Sequence, residues 1–383
     1  MCAEVARIAL LCAALSFAFE GPRGHIGTPR EGPQRVSEHV VDGRWLALGK
    51  DGRLTALLRT RGGLLRWTEQ EPGGPKWTGP DFLETPELSH VTVVQGADRY
   101  LHLLGRRTGR AADGSPLVDF VHATQFQTGR PTTEWWPLGS PSKDPARAAL
   151  AGPPVGTVSG SGALHVFVRH AGGGVSMRRE GKRGAWSPWK NLQGQRGIDG
   201  LAAATAHTGL VELLAPADNG RAMHWAQAEP GGEIERRPNL RVAQAEGSAV
   251  ALETSSGRIT YYWTDAETGG VVAHRIGEWV VPLGGAPAPG RLAAQRALLD
   301  GYDCTVLAHW GYDGQVMLAA CGTENEAAGV WWSATGEGTS CPPGLALDGY
   351  GRVVIATVDP DGGLRIARQN EEPGLVMNPS MRV

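Results

Sequence analysis

The chain has 383 residues, 41% hydrophobic content and a formal charge of −2, which is enough to bury a large core and room for more than one ordinary domain. Charge this close to neutral gives nucleic acid and anionic membranes no electrostatic hold. Only Lys50, Lys76, Lys143, Lys182 and Lys190 among the 37 basic residues are lysine, a codon-bias signature of a GC-rich genome rather than a basic binding face.

Residues 8 to 19, "IALLCAALSFAF", form an apolar run too short to span a bilayer and suited to the hydrophobic region of an export signal. Ser16 and Ala18 supply the small residues that cleavage after Ala18 requires. The expectation is a signal peptide over residues 1–18 and a secreted, soluble product without membrane insertion; a buried helix is the competing reading. Leu11 occupies the place where a lipid anchor on Cys12 needs a small residue. Residues 19–33, rich in Gly, Pro and Arg, read as an exposed leader.

From Gly52 onward one outline recurs: a turn, an apolar run, a polar stretch with glycine, and a second apolar run. It appears in "GRLTALLRTRGGLLRW", "GALHVFVRHAGGGVSMRR", "GLVELLAPADNGRAMHW", "GRITYYWTDAETGGVVAHR", "DCTVLAHWGYDGQVMLA" and "GRVVIATVDPDGGLRIAR", and with a lengthened tip from Arg99. The first inward apolar residues are Leu54, Leu101, Leu164, Val211, Ile259, Cys304 and Val353, spaced by 47, 63, 47, 48, 45 and 49 residues. The long interval contains the inserted "TGRAADGSP". A shorter run precedes each anchor ("WLAL", "VTVV", "AAAT", "AVAL", "LALD"), and a piece often bearing tryptophan follows the second run ("PKWTGP", "EWWPLG", "WSPWKNLQG", "EWVVPLGG", "VWWSATG").

Three alternating strands plus a fourth make a four-stranded antiparallel blade, and repetition at this period makes a ring. No long amphipathic helix interrupts the pattern, and 55 glycines and 26 prolines punctuate it. The fold class is therefore all-β, a seven-bladed β-propeller over residues 34–370. The last unit stops soon after Ile366, so the segment "QRVSEHV", Gln34 to Val40, is expected to close the ring as an N-terminal strand, because closure removes free sheet edges. Residues 371–383 read as a C-terminal tail, either flexible or a docking strand.

Cys304 and Cys321 lie symmetrically about the pair Tyr312-Asp313. If Gly311 to Gly314 makes a two-residue hairpin, the thiols face each other, and an exported protein would join them as a disulfide. Buried free thiols are the alternative, and Cys341 is left over. His102 and His165 share their slot with Thr55, Thr260 and Thr305, a half-exposed strand position that argues against metal ligation. "DPDGG" at 359–363 serves a hairpin turn better than a calcium loop. No phosphate-binding or zinc motif is present, and no cofactor is expected.

The unit-terminal tryptophans carry the functional question: such rings either fill the wedge between blades or present an indole face to a sugar. The Gly-x-Leu-x-Val-Phe-Val-Arg run of 162–169, followed by the Trp-Ser-x-Trp-x-x-Leu-x-Gly run of 186–194, resembles the repeat of PLL-like seven-bladed propeller lectins. "EWWPLGSP" and "EWVVPLGG" are looser matches, while "EIERRPNLRV" and the last unit carry no terminal tryptophan. The resemblance covers the whole chain in outline and one blade in detail. It implies a secreted protein that binds fucose or related glycans in shallow pockets between blades, without catalysis, not all of its pockets being live.

A sugar site needs a stacking platform and polar contacts to hydroxyls. The candidates are Trp186 and Trp189, one packed and one exposed, with Arg169 and His170; then Arg59 with Trp77, Arg106 with Trp136, and Trp279. Glycans are the expected partners, and a larger secreted toxin or adaptor chain is a second partner class, which would dock on the tail or on residues 106 to 118. The competing functions are a propeller glycoside hydrolase, which needs two converging carboxylates, and a protein-interaction scaffold.

Overall fold

A computed structural model describes residues 41–85, 88–110, 114–181 and 184–383. The expected signal peptide, leader and closing segment 34–40 lie outside these. The described residues form seven sheets, each built on four antiparallel strands ordered outward from an inner strand, a, through b and c to an outer strand, d. Blade 1 contains Leu46–Leu48, Leu54–Thr60, Gly63–Glu69 and Trp77–Glu84; blade 2 contains Leu88–Gln95, Leu101–Arg110, Pro116–Gln125 and Trp136–Gly139. Blade 3 follows with Val155–Val158, Leu164–Arg169, Val175–Arg179 and Lys190–Asn191, and blade 4 with Ala202–Thr205, Val211–Ala217, Arg221–Gln227 and Ile234–Leu240. Blade 5 has Val250–Ser255, Arg258–Thr264, Val271–Arg275 and Val281–Gly284, and blade 6 has Ala293–Leu299, Tyr302–Trp310, Gln315–Gly322 and Ser333–Gly338.

Blade 7 has Gly344–Leu347, Val353–Val358, Leu364–Arg368 and Met381–Arg382. The C-terminal tail thus supplies its outer strand, with Ile366 opposite Met381 and Arg365 opposite Arg382. This corrects the expectation that Gln34–Val40 fills the place, and the reason is simple: the tail is long enough to turn at Asn370–Asn378 and pair with its own blade. The N-terminal end instead adds Asp42–Gly43 parallel to the inner strand of blade 2. Gly43 has φ +77°, and an added Cβ would stand 2.2 Å from the Val93 carbonyl oxygen, so only glycine fits there.

The repeat anchors behave as their pattern requires, with six of the seven buried and Cys304 half-buried. The long interval between Leu101 and Leu164 has two sources: ten-residue second and third strands in blade 2, and a short helix, α1 (Pro145–Ala149), before blade 3. Asp144 caps α1 by accepting from the Ala146 amide at 2.9 Å, and Pro145 takes the first turn without losing a hydrogen bond. On the axis, Arg291 donates to the carbonyls of Leu201 and Ala249 at 3.4 and 2.9 Å and faces Asp42 at 3.9 Å. One guanidinium thereby ties the entries to blades 4 and 5 to the strand added at the inner edge of blade 2.

The cysteine reading is overturned by register. Cys304 lies opposite Gly322 and Thr305 opposite Cys321, because the hairpin closes about Asp313, where the Gly311 amide donates to the Gln315 carbonyl, rather than between residues 312 and 313. A one-residue slip sends the two side chains to opposite faces of the sheet, and Cys304, Cys321 and Cys341 are free thiols. Burial pushes the Cys321 and Cys341 thiols up to about 12. Alkylation followed by mass spectrometry is expected to label all three in denaturant without reductant, and to spare Cys321 and Cys341 in the native protein. Recovery of a Cys304–Cys321 crosslinked peptide would overturn the register.

The histidine slot is also deeper than its threonine occupants suggest. His102, His165, Thr55, Thr260 and Thr305 are all buried, because this strand face packs against the neighbouring blade instead of meeting water.

Candidate functional site

The tryptophans act first as fasteners between blades. Leu138 and Leu283 are the buried leucines of the outer strands of blades 2 and 5, and the buried Leu192 directly follows the outer strand of blade 3. Each carbonyl accepts an indole N–H from the next blade, from Trp189, Trp225 and Trp332 respectively, at 2.9 Å in every case. A buried indole satisfies its donor this way while filling the wedge. Trp186 and Trp189 are both half-buried, with Trp186 edge-on to His122 at 5.5 Å and Trp189 edge-on to Phe120 at 5.8 Å. The expected split into one packed and one exposed member is therefore not seen: both lie on blade 2.

Nor does the strand geometry gather the expected polar partners around them. Arg169 pairs with Val175 at one end of strand c, while Trp186 bridges Glu180 at the other. Arg169 donates to Asp199 at 2.5 Å, and the His170 Nδ1 accepts from the Gly172 amide at 3.0 Å; burial lowers the pKa of His170. Arg59 stands opposite Leu64 and Trp77 opposite Glu69, again at opposite ends of a blade. Arg106 is held by Ser89 at 3.0 Å and the Ala149 carbonyl at 2.9 Å. Trp136 is 63% exposed and Trp279 is 92% exposed, so these two indoles, with Trp331, present open faces.

Two clefts open between blades, at the end where the hairpins joining strands b and c meet the blade-to-blade connections. The first, of about 360 Å³, lies between blades 3 and 4. Blade 3 contributes Gln193, Gln195 and Arg196 from the connection; blade 4 contributes Asn219, Met223, Arg236 and Asn239. Gly194 (φ +101°) lets the connection lie directly on blade 4, since an added Cβ would come within 2.8 Å of the Met223 sulfur. Arg236 stacks 4.6 Å from the centre of the buried Trp225 ring, donates to the carbonyls of His224 and Arg237 at 3.2 and 3.1 Å, and donates to the Asn239 side-chain oxygen.

The second cleft, of about 370 Å³, lies between blades 6 and 7 and is lined by Asp313, Gln315, Glu337, Thr339, Asp359 and Arg365. It is the structural counterpart of the first: Met223 and Arg365 each follow their anchor by 12 residues, and Ala217 and Asp359 by 6. Its chemistry is reversed. Arg365 lies 3.9 Å from Glu337 and 3.8 Å from Asp359, and donates to Ser380 at 2.7 Å, while Glu337 accepts from the Ser380 amide at 2.9 Å.

None of the nine expected sugar contacts lines either cleft, although Arg169 and His170 stand on the hairpin next to the first. The cleft residues that the sequence did not single out are the Gln-Gly-Gln-Arg connection and the outer strand of blade 4. A signal existed: the connection directly follows the best-matching repeat, and connections meet neighbouring hairpins in any propeller. The outer strand of blade 4 lacks tryptophan, yet Trp225 sits beneath it on the adjacent strand.

Among solved structures the chain is similar to the BP39L lectin from Burkholderia pseudomallei, with a TM-score of 0.64 and 13% identity over 90% of this chain and 100% of that one. It is also similar to a PL25 polysaccharide lyase, an ulvan lyase, with a TM-score of 0.56 and 11% identity over 90% and 96% of the two chains. The same enzyme bound to -[GlcA(1-4)Rha3S]- gives a TM-score of 0.56 at 12% identity over the same shares of the two chains. No protein-family model and no curated protein matches the chain. The fold is a seven-bladed propeller, an architecture that the BP39L lectin and the ulvan lyase share.

Proposed function

We propose that the protein binds carbohydrate non-covalently in the clefts between its blades, and that it is exported to do so. The observation that carries this reading is the cleft between blades 3 and 4, where side-chain amides and guanidiniums from two blades surround a thioether floor. Amides and guanidiniums offer the paired donors and acceptors that neighbouring ring hydroxyls require, and an apolar floor suits the C–H face of a sugar. The open indoles of Trp136 and Trp279 supply further stacking faces, and several weak sites on one ring strengthen one another on a glycan-covered surface. The shared fold with a lectin supports the reading.

A glycan array on the purified chain tests it. Binding is expected to at least one glycan class, and Gln193→Ala combined with Asn219→Ala is expected to weaken it by about tenfold, the loss of a hydroxyl contact or two, with an unchanged melting temperature. Failure to bind any glycan would overturn the reading. Export is checked by the N-terminal sequence of the protein from culture fluid, expected to begin after Ala18. As the target-binding part of a larger secreted assembly it would co-purify with a large partner chain from the same fluid.

A second reading, cleavage of the bound polysaccharide, is favoured by the two carboxylates that flank Arg365 in the other cleft. It requires release of new chain ends from a polysaccharide, abolished by Glu337→Gln.

A further inference from the structure

We propose that the cleft between blades 3 and 4 selects saccharides carrying an anionic substituent, a uronate carboxylate or a sulfate ester, and that Arg236 reads the charge. The inference rests on the carbohydrate reading above and adds the ligand class.

The argument begins with what surrounds Arg236. Its partners are two backbone carbonyls, the Asn239 amide oxygen and the face of Trp225, all of them neutral. Neighbouring cations are matched: Arg237 pairs with Glu235 at 3.5 Å, Arg196 with Asp218 at 2.7 Å, and Lys190 with Glu233. Among the described residues no carboxylate forms an ion pair with Arg236. Burial lowers its pKa and no acid offsets that, the condition of a half-buried cation that has lost part of its water without gaining a counter-ion. An arginine keeps its charge even so.

The cleft wall has the same bias. Two guanidiniums and four amide side chains line it, and no carboxylate does. A guanidinium already fixed in orientation by carbonyls and an aromatic face can meet a carboxylate or sulfate oxygen with little further ordering, and charge-assisted bonds of this kind are about twice as strong as neutral ones. The counterpart cleft between blades 6 and 7 makes the contrast internal to the molecule. There three carboxylates line the wall with one guanidinium, and Arg365 is already flanked by two of them. One repeat position thus carries opposite charge at two sites of similar size, attracting an acidic saccharide at one and repelling it at the other.

Titration calorimetry with matched oligosaccharides tests the proposal: a uronate-containing oligomer, its carboxyl-reduced form, a sulfated oligomer and its desulfated form. At least one acidic oligomer is expected to bind tenfold or more tightly than its neutral counterpart, with the advantage shrinking as salt rises. The arm that shows the preference identifies the anion. Arg236→Met is expected to erase the preference. Because that change also touches the packing on Trp225, Asn239→Asp provides an independent probe: it sets a carboxylate against the guanidinium and is expected to abolish the preference in a chain with wild-type melting behaviour. Neutral and acidic oligomers binding equally well, or Asn239→Asp keeping the preference, would overturn the anionic assignment and leave carbohydrate binding standing. No binding of any of the four would also overturn the anionic assignment, while the glycan array decides the carbohydrate reading itself.

Discussion

Lowering the pH from 7 to 5 is expected to cost about 4 kcal/mol of unfolding free energy, most of it from two buried histidines. Burial and the neighbouring His102 hold His122 down to about 3, and burial holds His165 at about 4. His122 meets His102 and the Thr124 hydroxyl, each at 3.1 Å, beneath Trp186; His165 contacts the Ala163 carbonyl at 3.1 Å. In the unfolded chain both titrate near the free value of about 6.5. The unfolded state therefore binds more protons below that value, so stability is complete above pH ~6.5 and drains as the pH falls towards the folded values. At pH 5, ~1.5 units below the free value, each ring contributes a loss of ~2 kcal/mol. The carboxylates with lowered pKa, such as Asp303 and Glu324, begin to act only below about pH 5, which leaves the window from about pH 7 to 5 to the histidines. Urea unfolding between pH 8 and 4 measures the effect. His165→Thr, which installs the residue other blades use in that slot, is expected to remove about half of the slope. Equal midpoints at pH 7 and pH 5 would sink the account.

The propeller was legible because it is written seven times. Spacing errors that ruin a single-copy assignment average out when Leu54, Leu164, Val211 and Val353 each stand at the head of the same pattern. What stayed hidden depends on pairing at single-residue precision. The Cys304–Cys321 disulfide fails on a turn one residue longer than assumed, and nothing in "HWGYDGQ" announces which turn forms. The grouping of Arg169 with Trp186 fails for a related reason. Arg169 and Trp186 are close in sequence and were joined for that reason, but a blade strand carries them to opposite ends. Arg236 and Gln193, far apart in sequence, meet because adjacent blades pack through their outer strands and connections. A repeat reveals its own register within a blade; it does not reveal which residues of one blade face the next.

Ring closure carries the other large expected effect, and it falls on a few buried charges. Among the described residues no strand is shared between blades 1 and 7. The two meet through apolar packing, where Trp45, Leu46, Ala346, Val354 and Ala356 belong to one cluster, and through an ionic network. Arg368 of blade 7 donates to Glu69 of blade 1 and lies 3.8 Å from Asp348; the side chains of Glu69 and Asp348 are 0% exposed. Glu69 also accepts from the Leu54 amide at 2.8 Å. Asp348 keeps Arg352 at 2.8 Å, but removing the Arg368 guanidinium strands the Glu69 carboxylate in a dry interface, so Arg368→Met is expected to cost roughly 3–5 kcal/mol in urea unfolding, the usual penalty for breaking a buried pair. The repeat itself suggests the rescue. Gln227 and Gln369 occupy the slot of Glu69 in blades 4 and 7, and their side-chain oxygens accept from the Val211 and Val353 amides at 2.9 and 3.2 Å. Glu69→Gln keeps that backbone bond and removes the charge, and so is expected to restore at least ~2 kcal/mol in the Arg368→Met background, while costing stability in the wild-type background. Purely additive losses would mean that the network plays no part in holding the ring shut, and that packing between the first and last blades does the work alone.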